Sequence, residues 1–424
     1  YRAYWDTRMA EPSVRIIGMA PLNRTGPLAA LDNLKCRLKM AAGKGEEGQT
    51  IVDAAAVTER LPEHHNKTYA AHFFFCGGSP AVRAPTEVEL FFDVPSASRI
   101  EMPVRILSPS SGSPDSLLRE LSVCVRPWWG VPKTLTRHPP GTGETPNASA
   151  SAMEVYDDAD ALTEFVELWR LLGARFFTFY ESVVPVSGAE VRLLEHYVRE
   201  GLLEVVPYRL PSAVRPFHDV WDFAQNALVQ DCYLRRMDSR YLALVDTDEF
   251  ILPTDNATVS PGLPPPLPAL MDSIRAQEVK AGNGAVGAFR FYTYFFFTEW
   301  PTDGPSSQLA TQRFTRRTEH AGLIGKPKSR TKCIIMPRWV ASMGIHNPQK
   351  MLGRRRSMMM PPTVAKLHHY RSALGAVNNN PMKTDFTDLF EAPPVIDSQA
   401  LKYGRALQEA VRLTKRAMGG SGMG

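Results

Sequence analysis

Two carboxylates one residue apart, Asp246 and Asp248, follow the apolar run Leu242-Ala243-Leu244-Val245. In an extended chain this spacing turns both side chains to the same face, at the point where a buried strand ends. Hard divalent cations such as Mg²⁺ and Mn²⁺ take oxygen donors of this kind and complete their shell with substrate phosphates. A metal there would neutralise charge building on a diphosphate leaving group. Asp-x-Asp recurs by chance in turns, so its weight rests on the elements that position it.

Those elements alternate. Residues 121–125 read as a buried strand, 155–172 carry apolar residues at helical spacing, and Gly173 sits where a helix end takes positive φ. A strand at 175–180, a helix at 188–200 stopped by Gly201, and a strand at 202–208 follow. A helix at 219–236 opening on Asp219 as N-cap then leads to a strand at 241–245. The series predicts an α/β fold with a mainly parallel sheet and helices on both faces. Ligands bind beyond the carboxyl ends of such strands, where Asp246 and Asp248 fall. Farther on, 253–268 is a proline-rich loop and 267–277 a short helix. Residues 287–297 read as one long aromatic strand, 331–336 as another strand and 401–418 as an amphipathic helix.

Residues 1–118 read differently, as short strands at 35–40, 69–75, 88–94 and 102–107 separated by Gly, Pro and Ser clusters. The expected division is a β-rich stem or accessory domain at 1–118, a main domain at 119–400, and a C-terminal helix with a flexible tail at 401–424. The net charge of +5, from 49 basic and 44 acidic residues spread along the chain, lacks the clustered excess of a nucleic-acid binder. The stretches of apolar residues are too short to span a bilayer, and a chain opening at Tyr1 reads as a piece whose targeting segment has been removed. Asn-x-Ser/Thr occurs at Asn23, Asn66, Asn147 and Asn256, which favours the secretory pathway. Of the five cysteines, Cys36 and Cys76 are the preferred pair. In an oxidising lumen up to two disulfides form and one thiol is left over.

An ordered set of motifs then resembles glycosyltransferase family 92. It runs from Cys124-Val125-Arg126-Pro127 through the segment ending Phe179-Tyr180, Tyr197-Val198-Arg199-Glu200-Gly201 and Asp231-Cys232-Tyr233-Leu234-Arg235. Asp246-Thr247-Asp248-Glu249-Phe250, Lys332-Cys333-Ile334-Ile335, Met343-Gly344-Ile345-His346 and His368-His369-Tyr370-Arg371 complete it. The resemblance implies a GT-A (Rossmann-like) fold, Mn²⁺ dependence, inversion at the anomeric carbon and β-galactosyl transfer from UDP-galactose. It also implies a type II Golgi protein, lumenal or secreted once its anchor is lost. The implied partners are a nucleotide-sugar donor and a glycan acceptor, with a homodimer left open. Pro127, Glu181, Asp246, Lys332, Tyr370 and Arg371 would lie at the donor nucleotide. Asp246 and Asp248 would bind metal with a histidine from the C-terminal part, His369 by preference or else His346. Glu181 and Cys333 stand where family members often have Asp and Ser. Inversion in one step needs a carboxylate base, for which Glu299, Asp303 and Glu319 are the candidates, with the aromatic strand before Glu299 suited to walling a sugar. The other readings are a catalytically inactive lumenal glycan-binding protein and a metal-dependent phosphate-ester hydrolase.

Overall fold

Alternation of inward apolar and outward polar residues, as in Leu34–Met40, lets a strand cover a core with one face. In the computed structural model of the chain, strands of this kind close into a seven-stranded barrel. The order around it is Arg2–Asp6, Ser13–Pro21, Tyr69–Gly77, Thr50–Arg60, Leu34–Met40, Glu87–Phe92 and Ile100–Ile106. Neighbours are antiparallel except at the closure, where Ala3 pairs with Val104 in parallel. The structure describes residues 2–8, 11–22, 33–41, 50–77, 84–92, 99–107, 119–125, 158–181, 188–208, 210–215, 218–254, 266–305, 307–323, 326, 330–373 and 386–420.

The chain divides into two compact units. The first is Tyr1–Arg119, Tyr208–Leu242 and Met336–Arg355; the second is Glu120–Pro207, Ala243–Ile335 and Arg356–Gly424. In the first, Trp5, Ile16, Leu38, Phe74, Val88 and Met102 belong to one buried cluster with Cys36 and Cys76. These two cysteines form a disulfide with Cα atoms 5.9 Å apart and a sequence separation of 40. Closing a loop of that length stabilises the fold by about 4 kcal/mol in the chain-entropy account. Cys124 and Cys232 are also disulfide-bonded, which leaves Cys333 as a buried free thiol. The helix Gln225–Arg235 packs on strands Ser13–Pro21 and Tyr69–Gly77.

The second unit carries a seven-stranded sheet in the order Leu203–Pro207, Phe176–Glu181, Arg119–Val125, Ser239–Val245, Lys332–Ile335, Val286–Phe291 and Arg356–Met359. Its first three strands are parallel, as their intervening helices Asp158–Leu171 and Gly188–Arg199 require. Val286–Phe291, by contrast, runs antiparallel to Lys332–Ile335. Gly173 closes the first helix at φ +105° and lies so near Pro266 and Pro268 that a Cβ would meet a proline carbon at 2.9 Å. The helices Asp158–Leu171 and Gly404–Gly420 pack together, and the buried Glu167 carboxylate accepts hydrogen bonds of 2.9 Å from both Tyr197 and Thr414 hydroxyls.

The expected GT-A, Rossmann-like architecture is therefore corrected. The chain is β-rich, with a closed barrel and mixed sheets in place of a helix-flanked, mainly parallel sheet. The alternating series from 121 to 245 fixes only its own pairings, and the later strands join in either direction. Two further readings change. The aromatic stretch is two strands, Val286–Phe291 and Thr293–Phe297, which belong to different sheets. The helix expected from Asp219 begins at Gln225, after Asp222, Phe223 and Ala224 in left-handed backbone, while Asp219 accepts hydrogen bonds from Arg215 instead.

Candidate active site

The strand Ser239–Val245 is apolar and buried because it lies in the middle of the seven-stranded sheet. The chain leaves it in a turn, in which the Glu249 N–H donates to the Asp246 carbonyl (3.1 Å) and the Glu249 carboxylate accepts from the Asp246 N–H (2.8 Å). This reciprocal pair holds Asp246-Thr247-Asp248 as a fixed loop. From it starts the strand Glu249–Pro253, the outer member of a three-stranded sheet. The central member, the histidine strand Ala365–Arg371, pairs antiparallel with it, and Thr293–Phe297 pairs parallel on the other side.

Register puts the chemistry together. His369 stands opposite Glu249 on one side and Phe295 on the other, so the three side chains share a face. The Tyr370 N–H donates to the Asp248 carbonyl at 2.9 Å, and the Trp169 indole donates to the Glu249 carbonyl at 3.2 Å, so the loop is pinned from two sides. His369 Nε2 then lies 3.4 Å from Asp248 Oδ2, and Nδ1 lies 3.3 Å from Glu249 Oε1. The Lys332 ammonium, opening its strand, reaches Asp246 Oδ1 and Glu249 Oε2, both at 3.0 Å. Glu249 and Lys332 are almost wholly buried, at 2% and 5% side-chain exposure, whereas Asp248 keeps 17% and forms the accessible rim.

The His369 ring thus lies between two carboxylates, Nδ1 toward Glu249 and Nε2 toward Asp248. A ligating imidazole ordinarily has just such a carboxylate behind its other nitrogen. Among the described residues no three or more His, Cys, Asp or Glu side chains are gathered closely enough to hold a metal ion by themselves. Asp248, Glu249 and His369 offer oxygen and nitrogen donors of the kinds that Mn²⁺ accepts beside substrate phosphate oxygens.

The other expected residues are distributed. Tyr370 is buried, with its ring against Phe250 and Phe296 and its hydroxyl 3.3 Å from His368 Nδ1. The Arg371 guanidinium lies over the Phe386 ring at 4.4 Å. Glu299 accepts from the Ser372 hydroxyl and from the Ala373 N–H (3.1 Å), which ties it to the two residues after the histidine strand. Asp303 is paired with Arg316, whose hydrogen bonds hold its pKa below the ordinary carboxylate value. Glu319 is exposed beside His320, and His346 belongs to the first unit. Pro127 and the Glu181 side chain lie outside the described residues, as do Asn23, Asn147 and Asn256. Sequence reasoning gave no role to Glu249 or Arg330. The signal for Glu249 was its place directly after the aspartate pair; Arg330 carried none.

The family model described as glycosyltransferase family 92 matches residues 149–393, a span that contains every residue of this cluster. No curated protein matches the chain.

Proposed function

The chain belongs to glycosyltransferase family 92, and from that premise we propose that it is an inverting, Mn²⁺-dependent enzyme that transfers galactose from UDP-galactose to a glycan in β linkage. As a glycosyltransferase it has a sugar donor and an acceptor; the donor's identity, the metal and the stereochemistry are our reading. The observation that carries it is the sheet face on which Asp248, His369 and Glu249 meet, with Lys332 bridging Asp246 and Glu249 behind them.

In this reading Asp246, Asp248 and His369 hold the ion, and Glu249 orients the imidazole. When bound, the ion supplies positive charge to the departing diphosphate. Lys332 keeps the carboxylates from repelling one another in their buried setting. Of the three candidate bases we favour Glu299, because it alone is hydrogen-bonded to the segment that follows His369. Glu299 takes the proton from the acceptor hydroxyl as that oxygen bonds to the anomeric carbon. The bond to the diphosphate breaks on the opposite face, which inverts the configuration. Disulfides at Cys36, Cys76, Cys124 and Cys232 support an oxidising compartment, and we assign the chain to the Golgi lumen. No helix among the described residues is long and apolar enough to cross a membrane, so in this reading a membrane anchor lies outside them.

The test is a screen of the purified chain across nucleotide-sugars, with Mn²⁺ and with chelator, followed by a glycan array using the best donor. We expect turnover of UDP-galactose that stops on chelation. Preference for another nucleotide-sugar overturns the donor assignment, and undiminished turnover in chelator overturns the metal.

A further inference from the structure

Arg330 has left-handed backbone, at φ +58°, a conformation that a long unbranched residue rarely adopts without something to hold it. Its carbonyl accepts a hydrogen bond from the Thr293 hydroxyl, which fixes the residue just before the strand that begins at Lys332. Its guanidinium lies over the Phe386 ring at 5.4 Å, and Arg371 lies over the same ring at 4.4 Å. Phe386 is itself clamped edge-on against Phe295 (5.1 Å) and Phe297 (5.9 Å) in a buried aromatic cluster. Two like charges are thus assembled on one rigid aromatic support. Burial, and then the charge of Arg371, pull the Arg330 pKa below its ordinary value, while Glu249 and Asp246 oppose that shift. The same aromatic cluster joins the pair to the carboxylate site, since Phe295, against which Phe386 packs, also lies 5.4 Å from the His369 ring.

Charge matching identifies the ligand class. Asp246, Asp248 and Glu249 have Lys332 and His369 as their partners, and Arg330 and Arg371 add two further positive charges on the neighbouring Phe386 ring. A divalent ion among the carboxylates leaves two positive charges over. A planar guanidinium binds phosphate oxygens through two parallel N–H donors, and a pair of them suits two adjoining phosphates. We infer that Arg330 and Arg371, held on Phe386, form a preassembled clamp for the diphosphate of a nucleoside diphosphate, with Phe386 as the positioning residue. The inference rests on the nucleotide-sugar reading above and adds Arg330 and Phe386 to it. Holding both guanidiniums in place before the ligand arrives lowers the ordering cost of binding.

Calorimetric titration of UDP and UMP in the presence of Mn²⁺ tests the clamp without relying on turnover. Hydrogen bonds to charged groups of this kind account for about 10- to 100-fold in affinity, so Arg330→Gln should weaken UDP by that factor and UMP by less. Arg330→Lys, which keeps the charge and loses the fork, should fall between Gln and wild type. Phe386→Leu keeps both arginines and should weaken UDP by about 3- to 10-fold, in line with a cation–π contribution; if that variant does not fold, the two Arg330 variants decide. If wild type binds UDP and Arg330→Gln binds it within about two-fold, the clamp is overturned. It is equally overturned if the substitution raises only the KM for the acceptor. Wild-type chain that binds no UDP in Mn²⁺ overturns the nucleotide-sugar reading itself.

Discussion

Each unit buries a cluster of opposite charges, and the two clusters are built in opposite ways. In the first, the Asp6 carboxylate has no exposed surface and receives four N–H donors. Arg8 supplies its backbone N–H (3.0 Å), Nε (2.9 Å) and Nη2 (2.9 Å), and Arg15 Nη2 adds the fourth at 3.0 Å. Arg15 spends another nitrogen on Tyr233 and the Ala341 carbonyl, while its plane rests near Phe73 and Phe75. Both Asp6 oxygens are saturated. In the second, three carboxylates share one ammonium and one imidazole at single contacts of 3.0 to 3.4 Å, and Asp248 stays on an accessible rim. A buried charge satisfied on all sides is a structural joint. One that keeps an accessible rim can meet a ligand, which is why buried charge alone does not mark a site.

The sharpest way to break this comparison is to remove one carboxylate from each cluster. Asp248→Ala should cost about 10²- to 10³-fold in kcat, the scale of a lost transition-state charge contact. Its melting temperature should hold or rise, because a negative charge leaves a crowded site. Near-normal turnover in saturating Mn²⁺ would end the metal assignment. Asp6→Ala should do the reverse. It leaves two buried arginines without their carboxylate, a loss of about 3 to 5 kcal/mol, measured by denaturant unfolding. Any fall in activity should follow the unfolded fraction. Acid reports the same joint. Burial alone would raise the Asp6 pKa, but the Arg8 hydrogen bonds and the charges of Arg8 and Arg15 outweigh it and hold it low. The Asp6 contribution is therefore complete above the unfolded aspartate pKa of about 3.9 and is lost as pH falls through the lower folded value. Asp6→Asn should flatten the acid limb of the stability profile.

How far these two clusters were legible in the sequence differs as well. The aspartate pair was visible because it follows an apolar strand, and the helices and strands from 158 to 245 were visible from their periods. Cys36–Cys76 was the preferred disulfide and is formed. Strand direction was not legible, since an apolar run such as Lys332–Ile335 reads the same whether its neighbour is parallel or antiparallel. That is where the expected parallel architecture failed. Asp6, Arg8 and Arg15 looked like ordinary strand and turn residues, because a buried ion cluster depends on contacts with Tyr233 and Pro337 more than 200 positions away. Glu249 and Arg330 were missed for the same reason. The role of Glu249 appears only when register sets it opposite His369, and that of Arg330 only when Phe386 is seen beneath it.

Glu249 offers the next test, since it shares features of both clusters, being buried and yet turned to the reacting side. Glu249→Gln keeps the shape of the side chain but removes the negative charge that faces His369 Nδ1. Outer-shell changes of that kind cost about 10- to 100-fold in metal affinity or activity. His369→Ala should raise the Mn²⁺ requirement further than Glu249→Gln does, and His346→Ala should raise it least. Titrating Mn²⁺ against UDP binding in the three variants gives the order. A larger effect at His346 would move the metal site out of the cluster described here.

The smallest expected effect lies on the surface of the first unit, at Asn66. This sequon residue is exposed and has left-handed backbone at φ +54°, and its N–H donates to His64 Nδ1 at 3.2 Å. Asparagine tolerates that conformation better than most residues do, so the turn between strands Thr50–Arg60 and Tyr69–Gly77 presents its amide outward at little cost. A chain passing through the secretory pathway should therefore carry a glycan there. Thr68→Ala tests this more cleanly than replacing the asparagine, because it destroys the acceptor motif and leaves the Asn66 backbone unchanged. In protein secreted from animal cells, Thr68→Ala should remove one glycan's worth of apparent mass, and glycosidase treatment should bring wild type and variant to the same size. Stability should move by no more than about 0.5 kcal/mol, as for an exposed substitution away from any packed or charged cluster. If intact-mass analysis finds Asn66 unmodified in such a preparation, the lumenal assignment loses its most accessible support. If Thr68→Ala costs several kcal/mol instead, the turn is a structural joint of the Asp6 kind, and the line drawn here between saturated interior charge and tolerant surface must be redrawn.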